Sequence, residues 1–153
     1  MKVIYSCYWG SCLAKVAAFL HLGYICEKDD IAQSLFCDIR ESRFGELVFV
    51  GRDEMGMDVF AVGSKRAGPV LAKALTGIAK IYGFPSDSVQ LVELNHLYNF
   101  LIWLGIFLVR KLKLTSWGTK LIALGTKKNF GKLQAAVQNV IAKPIYIENE
   151  VNR

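Results

Sequence analysis

The sequence predicts a three-layer α/β sandwich in which a mostly parallel sheet with one β-hairpin carries helices on both faces. The opening segment, residues 2–8, is almost continuously apolar and rich in β-branched and aromatic residues, as is typical of a strand covered on both faces. Strand-like and helix-like segments then alternate along the chain. With 153 residues and 53% hydrophobic content, the chain can build its own core, which excludes a disordered chain and predicts one α/β domain over residues 1–153.

The first predicted unit is a strand, a tight loop and a helix. Trp9, Gly10 and Ser11 interrupt the opening strand, and Ser11 is a suitable N-cap for the helix that follows. Apolar residues recur at helical spacing between Cys12 and Leu22, and Gly23 is the kind of residue at which a helix commonly ends.

The later elements are predicted from periodicity and from the glycines and prolines between them. A loop ending in Gly56 joins two β-rich runs into a hairpin. Pro69 suits the first turn of a helix that Gly83 closes. In chain order we expect a short helix over Ile31–Phe36, a polar connector over 38–45, strands over Glu46–Val50 and Met57–Val62, a helix from Gly68 to Ile81, a strand over Ser88–Leu94, an apolar helix over Leu97–Leu114, a short strand over Lys120–Leu124 and a final helix over Asn129–Ala142.

Basic residues are concentrated in the C-terminal third. Residues 1–95 carry ten Lys and Arg against eleven Asp and Glu, whereas residues 96–153 carry nine basic residues and two acidic ones. Such a region implies an anionic partner, namely a phosphate, a nucleic acid, a membrane surface or an acidic protein. The alternative is a solvated face on a basic protein.

The N-terminus and the cysteines favour the cytoplasm. The apolar segment after Lys2 is too short for a signal peptide. As a helix, the longest apolar stretch, Leu97–Val109, would rise about 20 Å, which is short of the roughly 30 Å hydrocarbon core of a bilayer. In a reducing compartment the cysteines are expected to be thiols: Cys7, Cys12, Cys26 and Cys37.

Three segments occur in the order YSCYWGSCLAKVAAFLHLG, LVFVGRDEMGMDVFAVG and LIALGTKKNFGKLQAAV. Together they resemble the bacterial family called domain of unknown function 3189, found mainly in spore-forming Firmicutes. The resemblance implies an α/β cytosolic protein from such a host and brings no activity with it. The first loop departs from the family pattern, because Trp9 replaces a glycine and Cys12, Leu13 and Ala14 replace a His-Ser-Ser run.

The loop after the first strand is the first candidate site. A helix N-terminus exposes N–H groups that attract anions, and open α/β sheets bind ligands at the carboxyl ends of their strands. The loop has no Walker A motif, so location rather than motif carries the prediction. We predict that Gly10, Ser11 and Cys12 bind a small anionic ligand, phosphorylated compounds included. The alternative is an ordinary capped turn.

Two cysteines and two acids are candidate catalytic residues. A thiol at a helix N-terminus can become a nucleophile, and Cys12 suits that position better than Cys7, which ends the strand. In the hairpin loop, Asp53 and Glu54 can orient a substrate, ligate Mg²⁺ or act as acid and base beside Arg52. The alternatives are buried cysteines and an acidic turn.

Three further residues complete the predicted ligand set. A glycine turn before the last helix would take a phosphate or carboxylate through Thr126 and Lys127, and Arg52 would add positive charge to the first-loop site. The alternative is a solvated helix start. His21 is expected to satisfy a backbone carbonyl, and because no His or Cys spacing matches a zinc site, no metal is predicted.

The apolar helix carries Trp103 and Phe107 and ends in Arg110 and Lys111. Because it is apolar nearly all round before Arg110, we expect it between layers or at a subunit contact of a homo-oligomer. Its aromatic rings would then be buried, and it lacks the polar face of an interfacial helix, so neither a nucleic acid nor a membrane surface is the expected partner.

Two functional hypotheses remain open. The first is a cytosolic ligand-binding protein or enzyme that acts at the first loop, and the location of that loop favours it. The second is a non-catalytic, oligomeric interaction module that uses the apolar helix and the basic C-terminal third. The loss of the family's polar groups from the first loop favours the second. The sequence identifies no cofactor and leaves open whether the protein is an enzyme.

Overall fold

The computed structural model describes residues 1–10, 12–27, 31, 44–85 and 88–151, with side chains as far as residue 142. Within these ranges, the chain forms four strands and five α-helices. They are β1 (Lys2–Cys7), α1 (Leu13–His21), β2 (Leu47–Arg52), β3 (Asp58–Gly63), α2 (Gly68–Ile81), β4 (Val89–Glu93), α3 (Phe100–Lys111), α4 (Thr115–Lys128) and α5 (Phe130–Val151).

The four strands form one sheet in the order β2–β3–β1–β4. β1 lies in the interior and is parallel to both neighbours, so that Tyr5 lies beside Ala61 of β3 and Val92 of β4. β2 is antiparallel to β3, which forms the predicted hairpin. The mostly parallel sheet and its interior first strand are therefore confirmed.

Helices cover both faces of this sheet, as predicted. On one face, Tyr5 bonds to His21 of α1 and Cys7 to the first turn of the same helix. On the other face, the start of α2 lies against Glu93, because a Cβ atom at Gly68 would be only 2.8 Å from its carboxyl carbon. α1 also packs against α5, which extends the first layer.

α3 and α4 form a closely packed antiparallel hairpin. A Cβ atom at Gly105 would lie 2.6 Å from the carbonyl oxygen of Gly118, and the reverse contact is equally short. At the other end of the pair, the Asn99 side chain donates to the carbonyl of Gly125 at 2.8 Å. These glycines therefore let the two backbones approach each other within van der Waals distance.

Two predictions in this half of the chain are wrong. Residues 120–124 are part of α4, not a strand, and Gly125 and Thr126 are inside that helix, not in a turn before the last helix. Gly125, which suggested a turn, instead lies against Asn99 and Ile102 at the start of α3. The last helix begins as predicted and runs on to Val151. The helix predicted over Ile31–Phe36 lies almost entirely outside the described residues, as does most of the connector over 38–45.

α3 begins later than predicted and is more exposed. Asn99 caps it by accepting the N–H of Ile102 at 3.1 Å, after a 3₁₀ turn over Asn95–Leu97. Burial on all sides was expected, but Phe100 is 77% exposed and Phe107 52% exposed. Within the described ranges, no helix is both long and apolar enough to cross a bilayer.

Candidate functional site

The first loop connects β1 to α1 around a buried thiol. Cys7 is fully buried, and its sulfur accepts the N–H of Ala14 and the hydroxyl of Tyr98, each at 3.4 Å. The sequence favoured Cys12 for the thiol at the helix start, but it is the Cys7 sulfur that accepts a first-turn N–H. Cys12 is also buried and makes no side-chain cap.

Tyr98 forms hydrogen bonds with both this thiol and the backbone of the loop. Its hydroxyl oxygen accepts the backbone N–H of Trp9 at 3.4 Å while its proton points to Cys7. Burial of the hydroxyl, and then the neighbouring thiols of Cys7 and Cys12, hold the pKa of Tyr98 well above its usual value. The phenol is therefore protonated and remains a hydrogen-bond donor.

Gly10 is required by contact with the neighbouring strand. Its φ is +66°, and a Cβ atom there would lie 2.6 Å from the backbone nitrogen of Gly63. Its lack of a side chain thus lets the loop rest on the end of β3. Ser11 lies outside the described residues.

The segment after β3 completes the carboxyl edge, by which we mean the edge where β1, β3 and β4 end. Ser64 donates its N–H to the carbonyl of Cys7 at 3.0 Å, and Lys65 donates to that of Tyr8 at 3.2 Å. Lys65 has a φ of +52°, which is unusual for a residue other than glycine. Its carbonyl accepts the Asn95 amide at 3.1 Å, so Lys65 is held from both sides.

A cavity of about 450 Å³ opens at this edge, between the sheet and α2. Aliphatic side chains from the sheet and from α2 form most of its wall, while Lys65 and Phe44 are exposed at its rim. Among its described lining residues Lys65 carries the only charged side chain. The lining consists of Ile4, Phe44, Gly45, Leu47, Val62, Gly63, Ser64, Lys65, Ala67, Leu71 and Leu75.

Two cations and several aromatic rings meet beside the cavity. The Lys65 ammonium lies 4.3 Å from the centre of the Phe44 ring. The Arg110 guanidinium lies 5.8 Å from the same ring and 4.1 Å from that of Trp9. Because both cations lie within cation–π distance of Phe44, the rim of the cavity carries positive charge from two separate elements.

Asp53 takes part in a buried network toward the opposite end of the strands, away from the carboxyl edge. Its carboxylate lies 3.1 Å from Nε2 of His21, whose Nδ1 lies 2.8 Å from the Tyr5 hydroxyl. His21 therefore bonds to two side chains, and its predicted role with a backbone carbonyl is wrong. Burial, and then the charge of Asp53, raise the pKa of Tyr5 above its usual value. Glu54 is exposed in the same turn.

The remaining predicted ligand residues are not brought to the first loop. Arg52 bonds to Asp58 at 2.8 Å, and this bond raises the pKa of Arg52 and lowers that of Asp58. Asp58 pairs with Lys2, so Arg52 lies at the other end of β1 from Cys7. Thr126 is buried in α4, where its hydroxyl donates to Ile122 at 2.8 Å, and Lys127 is in the next position of that helix.

The residues that sequence analysis missed are Lys65, Tyr98 and Arg110, which come from three separate segments. A signal was present for the first of them, because the run Gly63-Ser64-Lys65 directly follows a predicted strand. No spacing links Tyr98 or Arg110 to the first loop. Within the described ranges, no three His, Cys, Asp or Glu side chains are grouped to hold a metal ion.

Comparison with known proteins supplies a family and no function. No curated protein and no solved structure matches the chain. The family model described as "Protein of unknown function (DUF3189)" matches residues 2–142. Since the match covers nearly the whole sequence, the chain belongs to the DUF3189 family.

Proposed function

We propose that the protein binds a small amphiphilic anion at the carboxyl edge of the sheet. The apolar part of the ligand would occupy the cavity between the sheet and α2, and its anionic group would meet Lys65 at the rim. The observation that carries this proposal is the cavity of about 450 Å³ with aliphatic walls and a lysine at its opening. Its volume lies in the range of small-molecule sites, roughly 300–1,000 Å³.

The local charge supports an anionic ligand. Lys65 and Arg110 approach the Phe44 ring from two elements, and no acidic side chain is among the described residues lining the cavity. The strained backbone of Lys65 is also typical of functional positions, where such conformations persist because surrounding contacts hold them. The positive charge of Lys65 at the rim would therefore attract a negative group.

The first loop lies next to this proposed site. Gly10 rests on Gly63, which lines the cavity, so the loop and the cavity are adjacent. Binding would therefore occur next to the predicted Gly10, Ser11 and Cys12 set, without Arg52, Thr126 or Lys127. The proposal is for binding and assigns no reaction to Cys7 or Asp53, whose polar atoms already bond within the protein.

The test is calorimetric titration with octyl phosphate, using inorganic phosphate and octanol as matched probes. We expect octyl phosphate to bind at least tenfold more tightly than either. Lys65→Asn removes the charge, keeps a residue that tolerates positive φ, and should weaken binding about tenfold, or ~1.4 kcal/mol. Lys80→Asn on the exposed side of α2 is the control. Equal affinities for the two variants would refute the role of Lys65.

We also propose the cytoplasm of a spore-forming bacterium as the setting. The resemblance of the three sequence segments to the family implies the host, and the free thiols of Cys7, Cys12 and Cys26 are consistent with a reducing compartment. Cys37 lies outside the described residues.

A second candidate function, an interaction module, is favoured by the exposure of α3. Phe100 and Phe107 face solvent on a helix that was expected to be buried. We propose that α3 and the basic C-terminal third contact a macromolecular partner. Self-association is one form of this function, and light scattering after size-exclusion chromatography measures it directly.

A further inference from the structure

The tip of the α3–α4 hairpin exposes four large apolar side chains. We define the hairpin tip as residues 107–117, which comprise the last turn of α3, the connection and the first turn of α4. Phe107, Leu112, Leu114 and Trp117 are all exposed, Trp117 to 71%. Several large apolar residues exposed within one short segment are typical of a surface that contacts a partner or a lipid phase.

Basic residues surround these apolar side chains. Lys111 and Lys113 lie within the tip, and Lys120 lies one turn further along α4. The sequence between Glu93 and Glu148 contains no acidic residue, so the apolar tip carries only positive charge. Its partner is therefore expected to be anionic.

Charge and side-chain chemistry together favour one class of partner for the hairpin tip. In a symmetric pair, a second copy of the chain would bring the same positive tip, so charge opposes tip-to-tip pairing. A single-stranded nucleic acid needs flat rings on which bases stack, whereas Leu112 and Leu114 at the bend are aliphatic. Aliphatic residues with tryptophan, phenylalanine and lysine are instead the composition of interfacial membrane segments.

The fold also removes the objection that α3 lacks a polar face. An isolated interfacial helix needs a polar side because that side faces water. In α3 the side away from the exposed residues is buried against the protein, where Ile102, Ile106 and Val109 are nearly inaccessible. The hairpin can thus present apolar residues on its outer side without exposing a second apolar face.

We infer that the hairpin tip docks on an anionic membrane surface, inserting Phe107, Leu112, Leu114 and Trp117 between headgroups while the surrounding lysines contact anionic lipids. This inference deepens the interaction-module function by naming its partner, and it is independent of the cavity ligand. No covalent step is involved. Because screening by salt weakens attraction between exposed charges, docking should depend strongly on ionic strength.

The experiment is co-sedimentation of the full chain with vesicles of phosphatidylcholine alone or with 30% phosphatidylserine. We expect binding to the anionic vesicles to exceed binding to the neutral ones at least tenfold at low salt, and most of it to be lost at 0.5 M NaCl. The double variant Leu114→Ser, Trp117→Ser should lower binding at least tenfold. The matched control is Ile81→Ser, Tyr82→Ser at the end of α2, where the two side chains are 82% and 72% exposed.

Several outcomes of these experiments would contradict membrane docking by the hairpin tip. Equal binding to both kinds of vesicle, or equal loss in the two double variants, would overturn it. So would a tip variant that dissolves a dimer, or a single-stranded RNA that competes the protein off the vesicles. If the tip variant fails to fold by circular dichroism, Lys111→Gln with Lys113→Gln replaces it, with the same tenfold loss expected. Octyl phosphate titration of the variants separates a failure here from a failure of the cavity proposal.

Discussion

At the scale of single residues, three elements are joined by the buried side chains of Tyr5, His21 and Asp53. With the Tyr5 hydroxyl donating to Nδ1 and the imidazole Nε2–H donating to Asp53, each of these polar atoms has a partner. The other carboxylate oxygen of Asp53 accepts the N–H groups of Met55 and Met57, at 3.0 and 2.7 Å. This residue therefore stabilises both the hairpin loop and the end of α1.

Removing the Asp53 carboxylate should destabilise the fold. Asp53→Ala leaves the His21 N–H and two backbone N–H groups without their acceptor, and hydrogen bonds to a charged group contribute about 1.5–3 kcal/mol each. Since water can reach part of the loop, we expect the free energy of unfolding, measured by urea denaturation, to fall by about 2–3 kcal/mol. Glu54→Ala, at the exposed neighbour, should change stability by less than about 0.5 kcal/mol. Similar values for the two variants would show that the network contributes little.

Tyr98 should make the fold sensitive to alkaline pH. Its pKa is raised in the folded state, whereas in the unfolded chain a tyrosine titrates near pH 10. Above about pH 10 the unfolded state loses this proton first, so the free energy of unfolding falls as pH rises toward the folded pKa, by up to about 1.4 kcal/mol per pH unit. Tyr98→Phe should therefore give a shallower decline between pH 9.5 and 11.5 than wild type. An unchanged slope would contradict this, and the exposed Tyr24→Phe controls for loss of one hydroxyl.

At the scale of elements, the α3–α4 hairpin depends on glycines that lie between two helix axes. Gly118→Ala would gain about 1 kcal/mol in helix propensity, but its Cβ would lie 2.6 Å from the Gly105 oxygen and still closer to a Val109 methyl. Overpacking of this kind costs about 1–3 kcal/mol, so we expect a lower melting temperature.

The matched variant Gly77→Ala should have the opposite effect and raise the melting temperature. Gly77 is in the interior of α2, and a Cβ atom there would meet no atom within 4 Å. The same substitution is therefore expected to stabilise by up to about 1 kcal/mol. If both substitutions raise the melting temperature, the hairpin is not limited by backbone contact.

Elements with a regular apolar period were predictable, and elements shaped by contact with another helix were not. The residue types in the run at residues 2–8 and in β2 and β3 favour strands by themselves, without reference to tertiary contacts. In α4, Gly125 suggests a turn in the sequence, yet it lies inside the helix, where its lack of a side chain makes room for Asn99 and Ile102. The tertiary contact overrides the local preference there.

The candidate site was predictable in its location and not in its composition. Parallel β1 ends beside β3, so a site at the carboxyl edge follows from topology alone. The residues at that edge come from the segment after β3, from the segment before β2 and from α3. Lys65, Phe44 and Arg110 are brought together only when the whole chain folds, so no motif contains them.

At the scale of the whole molecule, positive charge is present at two neighbouring surfaces. One is the rim of the cavity, where Lys65 and Arg110 meet around Phe44, and the other is the hairpin tip with Lys111 and Lys113. Arg110 is in the last turn of α3, directly before Lys111 of the hairpin tip. A ligand at the cavity and a membrane at the tip would thus both act near the C-terminal end of α3.

The most direct test of the central claim is a titration of ¹⁵N-labelled protein with octyl phosphate, followed by the backbone amide shifts. Binding in the cavity predicts the largest shifts at Gly63, Ser64 and Lys65, together with Leu71 of α2, all of which line it. Shifts confined to Cys12, Leu13 and Ala14 would move the site to the start of α1. Shifts confined to the hairpin tip, or none at millimolar ligand, would contradict a ligand site at the carboxyl edge of the sheet.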